Sequence, residues 1–196
     1  MDIIDLDVTE GRYNMGGNEQ YSWFGRKSDI TTMPDCAQTD PTGSGNVAEL
    51  AKVTGEIVMD NGKDFQKMYG TLETVMVKDE QVGERDGKSW KTSFELFYSD
   101  INPEILGSLA LLNNTRTVWI IKDQNGRKRI LGRQVAVQLD GVEVGTGTKF
   151  EDRRGCTIKG YCQGNTPAPI FEGQVKLTGS TSGSGDDSYQ EIIFVD

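Results

Sequence analysis

Carboxylates are the side chains in this sequence best suited to chemistry, and several crowd one short stretch. Asp79, Glu80, Glu84 and Asp86 fall within residues 78–88, beside Lys78, Arg85 and Lys88. Two carboxyl groups work as general acid and base only when their surroundings push their pKa values apart. This stretch reads as a charged, solvated loop with an Asp86-Gly87 turn, and nothing in it desolvates one carboxylate more than another. Residues 60–64, Asp-Asn-Gly-Lys-Asp, offer oxygen ligands and a glycine. They lack the ligand ladder and closing glutamate of a calcium loop, so they read as a turn. Residues 141–147 are glycine-rich, but neither Gly-Lys-Ser/Thr nor a helix follows, which argues against phosphate binding. The 196 residues contain no histidine. That removes Ser-His-Asp and Cys-His catalysis, histidine-ligated metals and a histidine pH switch. The expectation is a protein that is not an enzyme and carries no cofactor or metal.

Three cysteines remain: Cys36, Cys156 and Cys162. Their number is odd and their spacing is not that of a zinc knuckle. In a strand, the even separation of Cys156 and Cys162 puts both on one face. They read as reduced, partly buried thiols, with a Cys156–Cys162 disulfide as the alternative. Apolar residues make up 35% of the chain, below the roughly 45–50% of ordinary globular proteins. With 24 glycines, this points to short strands, generous loops and some surface completed by partners. The net charge of −9 argues against nonspecific DNA gripping, which needs lysine and arginine to displace counterions. It suits a surface that keeps nucleic acid away. The acidic start of the sequence is not a secretory signal, and no apolar run is long enough to span a membrane. The expectation is a chain made in the cytoplasm, with no membrane insertion.

These residues need elements to hold them. Residues 1–50 are polar, glycine-rich and interrupted by Met33-Pro34 and Asp40-Pro41. They read as an extended N-terminal arm, with Tyr21, Trp23 and Phe24 favouring an arm that orders on a neighbour. Residues 51–180 read as the core. Residues 52–59 are a strand candidate, and residues 65–77 a longer one. In residues 89–98, Trp90, Phe94, Leu96 and Tyr98 face one way, and Lys91, Ser93 and Glu95 the other. The spacing predicts a helix over 102–113, with Asn102 as cap, Pro103 in the first turn and a stripe of Ile105, Leu106, Leu109 and Leu112. Residues 116–122 and 127–138 flank Asp123-Gln124-Asn125-Gly126, where Asn-Gly predicts a type I′ hairpin. Further strands are expected over 155–163 and 171–178. Residues 181–196 read as the end of a flexible Gly/Ser linker and a C-terminal strand, 189–195, apolar on both faces. That strand closes its own sheet or adds to a neighbour's edge. The fold class predicted is all-β: a β-sandwich or barrel with one short α-helix on its side and extended loops and arms.

Several stretches carry a likeness to a known family. They are GEIVMDNGKDFQKMYGT, VKDEQVGERDGKSWKTSFELFYSDINPEILGSLA, WIIKDQNGRKRILGR, and GTGTKFEDRRGCTIKGYC followed by TPAPIFEG, with GGNEQYSWFGRKSDITTMP upstream. Together they resemble the bacteriophage tail-tube, or major tail, protein family. The resemblance implies a virion tail subunit with a β-sandwich or barrel core and a helix on its side. It implies six copies per ring and stacked rings through which DNA passes unbound. Its partners would be itself and other phage tail or neck proteins, and it brings no catalytic residues. On that reading Glu73, Lys91, Ser93 and Glu95 line the lumen, on a long 65–98 hairpin that joins subunits edge to edge. An acidic wall would repel DNA phosphates there. Ring stacking uses Lys78, Asp79, Glu80, Glu84, Arg85, Asp86 and Lys88 together with Tyr21, Trp23 and Phe24. Arg153 and Arg154 form salt bridges between subunits. Alternative roles are a tail terminator, a head-to-tail connector or a capsid decoration protein, and less favoured is a carbohydrate-binding β-sandwich.

Overall fold

One strand explains how the chain builds its interior. Residues 117–121 are all buried, and in an extended backbone their side chains alternate between two faces. Trp119 and Ile121 join one apolar cluster, while Val118 and Ile120 join another. A strand apolar on both faces must sit in the middle of a layered structure.

The computed structural model describes residues 15–43, 45–149 and 151–177. In chain order the strands are β1 (Asn18–Arg26), β2 (Ile30–Thr32), β3 (Lys52–Val53), β4 (Glu56–Met59), β5 (Gln66–Tyr69), β6 (Met76–Val82) and β7 (Ser89–Tyr98). The helix α1 (Pro103–Leu112) follows. Then come β8 (Thr117–Asp123), β9 (Lys128–Leu131), β10 (Gln138–Gly145), β11 (Gly155–Gly164), β12 (Ile170–Phe171) and β13 (Gln174–Leu177). Among the described residues the protein is mostly β with one short α-helix, as the sequence predicts.

The central layer is a six-stranded sheet in the order β3-β12-β9-β8-β1-β5. A four-stranded sheet, β10-β11-β7-β6, and the helix cover one face. Here Phe94, Leu96, Ile158 and Cys162 meet Trp119, Ile121 and Leu131. Trp119 lies between Phe24 at 5.0 Å and Phe94 at 4.4 Å, and its indole N–H donates to Thr117 Oγ1 at 2.9 Å. Burial of so large a ring requires that polar partner. A three-stranded sheet, β13-β4-β2, covers the other face with Ile57, Met59 and Val175.

Several sequence expectations are corrected. Residues 18–32 are not an arm that waits for a neighbour. β1 is an inner strand of the central sheet, paired with β5 and β8, and Trp23 is buried. The core therefore begins well before residue 51. Residues 65–77 are two strands, broken where Thr74 N–H returns to the Thr71 carbonyl and Glu73 takes a φ of 63°. Residues 52–59 likewise divide into β3 and β4, which belong to different sheets. The hairpin at Asp123-Gln124-Asn125-Gly126 forms, but not as type I′. Gly126 has a φ of 80° while Asn125 stays out of the left-handed region, and Gly126 N–H reaches the Asp123 carbonyl at 3.0 Å. That is a one-glycine bulged turn, for which Asn-Gly serves equally well. Cys36, Cys156 and Cys162 are buried free thiols, and burial pushes the Cys162 thiol up. The linker at 179–188 and the strand at 189–195 lie outside the described residues.

The helix forms as expected. Asn102 Oδ1 accepts the Ile105 N–H at 2.8 Å, and Ile105, Leu109 and Leu112 face inward. Leu106 does not join that stripe and is 43% exposed. Replacing Asn102 by Ala removes the cap and should cost about 1 kcal/mol in urea unfolding.

Candidate assembly surface

The outer face of the four-stranded sheet collects most of the residues singled out in the sequence. β7 pairs with β11 from Cys156↔Tyr98 to Gly164↔Trp90, and with β6 from Met76↔Glu95 to Val82↔Ser89. Phe94 and Leu96 are buried against the central sheet, so the alternate residues Lys91, Ser93 and Glu95 point outward. The register places Lys78 beside Ser93, Glu80 beside Lys91, and Lys159 beside Glu95. Lys78 pairs with Glu80, and Lys159 Nζ lies 3.5 Å from Glu95. Lys91 sits over the Tyr161 ring at 4.5 Å. On β10, Glu143 lies opposite the outward Thr157. This face balances Lys78, Lys91 and Lys159 against Glu80, Glu95 and Glu143, so it is polar but not the acidic wall expected.

Both borders of this sheet are open among the described residues. β6 ends it on one side and β10 on the other. β10 was hidden in the sequence because Gly141 and Gly145 made it look like a loop. The alternation of Val142, Glu143 and Val144 was the available signal. Val142 and Val144 pair with the inward residues Ile158 and Cys156, yet they are 38% and 46% exposed. They overhang the core rather than seal it. Unpaired backbone groups along β6 and β10, with apolar side chains at one border, form a template for another strand.

The remaining expected residues fall in three places. Glu84, Arg85, Asp86 and Lys88 occupy a fully exposed turn between β6 and β7. Gly83 (φ 107°) and Asp86 (φ 65°) shape it, and Gly87 N–H reaches the Glu84 carbonyl at 3.1 Å. Lys78, Asp79 and Glu80 are not in that loop. They belong to β6, because β7 pairs with them residue by residue. Glu73 is exposed in the turn between β5 and β6 and is not on the sheet face. Tyr21 is at the surface, stacked edge-on against Tyr69 at 5.6 Å, whereas Trp23 is buried and Phe24 half-buried beneath the helix. Trp23 is therefore not a surface contact in this fold. Arg153 and Arg154 are exposed in the loop before β11. Arg153 lies 5.9 Å from the Phe97 ring, and Arg154 donates to the Ile101 carbonyl at 3.2 Å.

Asp79 has the environment that the sequence seemed to deny it. Its side chain turns inward, accepts from Thr92 Oγ1 at 2.6 Å and from Ala168 N–H at 3.1 Å, and pairs with Arg129 of β9. Burial works to raise its pKa, but the bonds from Thr92, Arg129 and Ala168 outweigh it and hold the carboxyl below its ordinary range. Arg129 also donates to the Ala168 carbonyl at 3.1 Å. The group is a clamp between the four-stranded and central sheets. A carboxylate held ionised by an arginine is a poor proton donor or acceptor near neutral pH.

Among the described residues no cluster of three or more His, Cys, Asp or Glu is arranged to hold a metal. No helix among them is long and apolar enough to cross a membrane. The chain matches no family model, no curated protein and no solved structure.

Proposed function

We infer that this chain is a structural subunit of a bacteriophage tail tube, which assembles into rings through the borders of its four-stranded sheet. The observation that carries this reading is that β6 and β10 are both open among the described residues, on a sheet whose outer face sets charged side chains beside Met76, Phe97 and Tyr161. Two different borders meeting head to tail form a contact that propagates around a ring. Closing the ring removes both edges of that sheet. Six copies of a four-stranded sheet, at about 4.8 Å between strands and a tilt of about 40°, give a barrel roughly 48 Å across at the backbone. After side chains are allowed for, that leaves a channel wider than a DNA duplex. The wall would be Lys78, Glu80, Lys91, Ser93, Glu95, Glu143 and Lys159. Three lysines balanced by three glutamates offer phosphates no sustained attraction, so DNA moves through without specific contact. The exposed 83–88 turn lies at one end of the β6–β7 hairpin, where it meets the next ring. The site of action is then the virion tail.

Electron microscopy of the concentrated full chain tests this directly. Tubes with a central channel are expected, and a persistent monomer even with a tail-tip nucleus present would refute the reading. Single rings that never stack would instead favour a tail terminator. Replacing Glu84-Arg85-Asp86 with Gly-Ser-Gly should leave the melting temperature within about 2 °C, as surface changes do, while rings lose the ability to stack. A longer cut reaching Asp79 would not test stacking, because it removes part of β6.

A further inference from the structure

The central sheet has an open border of its own among the described residues, and its surroundings identify what covers it. β5 ends the central sheet. Gly70 N–H donates to the Gln20 carbonyl at 2.6 Å, which fixes the phase of the β1–β5 ladder. Ser22↔Met68 and Phe24↔Gln66 are then the bonded pairs, so Lys67 and Tyr69 direct their backbone N–H and C=O groups away from β1. Beside this edge run two adjoining cavities of about 410 and 470 Å³, both bordered by Phe24, Gln66 and Ser108. They form one groove between β5 and α1. Residues from both faces of β5 line it, with Met68 on one and Tyr69 on the other. An occupant strand therefore meets apolar surface on two sides: Phe24 and Ile105 under the helix, and Tyr21 with Tyr69 on the far face.

The described chain ends beside the strand whose following turn borders this groove. β13 runs parallel to β4 and brings Leu177 level with Met59. The turn that follows Met59 contributes Gly62, Lys63 and Asp64 to the groove's end. Residues 178–188 are mostly Gly, Ser, Thr and Asp, and residues 189–195 read Tyr-Gln-Glu-Ile-Ile-Phe-Val. Eleven such linker residues have a root-mean-square reach of about 18 Å. The six residues that separate Met59 from β5 span at most about 21 Å. A linker matched to its span gives the highest effective concentration for a tethered segment. In extended form, Ile192 and Phe194 share one face and Ile193 and Val195 the other, which suits a slot that is apolar on both sides.

We propose that residues 189–195 of the same chain add as a strand to the free edge of β5, in the groove beneath α1. This goes beyond ring assembly and does not depend on it, since the slot lies on a different sheet from β6 and β10. Hydrogen exchange on the full chain tests it, with the Lys67 and Tyr69 amides as reporters. They should exchange at least about 100-fold more slowly in the parent than in Phe194→Asp, while β8 amides remain protected in both. Ser108→Trp, which fills the groove without touching the segment, should release the same two amides. It decides the matter if Phe194→Asp also loosens β8. Fast exchange at Lys67 and Tyr69 in the parent, or unchanged protection in Ser108→Trp, would overturn the proposal. Protection that fades on tenfold dilution would overturn it too, because the strand would then come from a second copy.

Discussion

Lysine at both Val142 and Val144 should leave the subunit folded and stop it from assembling. These valines are about half exposed in the isolated subunit, so the substitution costs the fold little. In a joined sheet the same positions would lie against the border of the next copy, and two ammonium groups there would be stripped of water. Charges placed on the inward side of an edge strand are a known defence against edge pairing. If each interface loses about 3 kcal/mol, the concentration needed for assembly rises more than 100-fold. Sedimentation of parent and variant across a concentration series measures this, with circular dichroism as the check on folding. Normal tubes from the variant would remove β10 from the interface and, with it, the main support for the proposed function.

Asp79→Ala should be the most damaging single change outside the apolar cores. It strands Arg129 without a carboxylate and leaves Thr92 and Ala168 N–H without their acceptor. Breaking a buried ion pair costs about 3–5 kcal/mol, and the partial exposure of this one places the expectation near 3. A protein of this size should then melt about 6–12 °C lower. The pH dependence has a definite sign. The folded state holds the Asp79 carboxyl below its ordinary value, so its stabilising contribution is complete above the ordinary carboxylate range. It fades as pH falls through the folded value. The gap between parent and Asp79→Asn in urea unfolding should therefore be widest near pH 7 and narrow below about pH 4. A gap unchanged between pH 7 and pH 3 would mean that the carboxylate does not carry the clamp.

What could be read from the sequence was local. The Asn102-Pro103 start of α1, the turn at residues 123–126 and the alternation of β7 each depend on neighbours a few residues away. β1 could not be read in the same manner. Its partners are Ile120 and Trp119 on one side and Lys67 and Gln66 on the other, so its glycine and polar residues looked like an arm. β6 was hidden for a related reason. An edge strand with one solvated face carries charges at alternate positions, and Lys78, Glu80 and Gln81 made the run look like a loop. Asp79 shows the limit most plainly. Its chemistry is set by an arginine on another sheet, fifty residues along the chain. The polar face of β7 needed only its own alternation, whereas the borders that give the face its use emerge only once the strand order is known.

The parallel pairing of β4 with β13 has a consequence for biosynthesis. β4 pairs early with β2, but Glu56 must wait for Gln174 to gain its second neighbour, and β3 must wait for β12. Contacts that close loops of this length form late and slowly. During translation the early strands therefore emerge from the ribosome without the partners that complete their sheets. The four-stranded sheet itself needs β11, so on the proposed function a nascent chain would have no finished wall to offer a growing polymer before residues 155–164 are free.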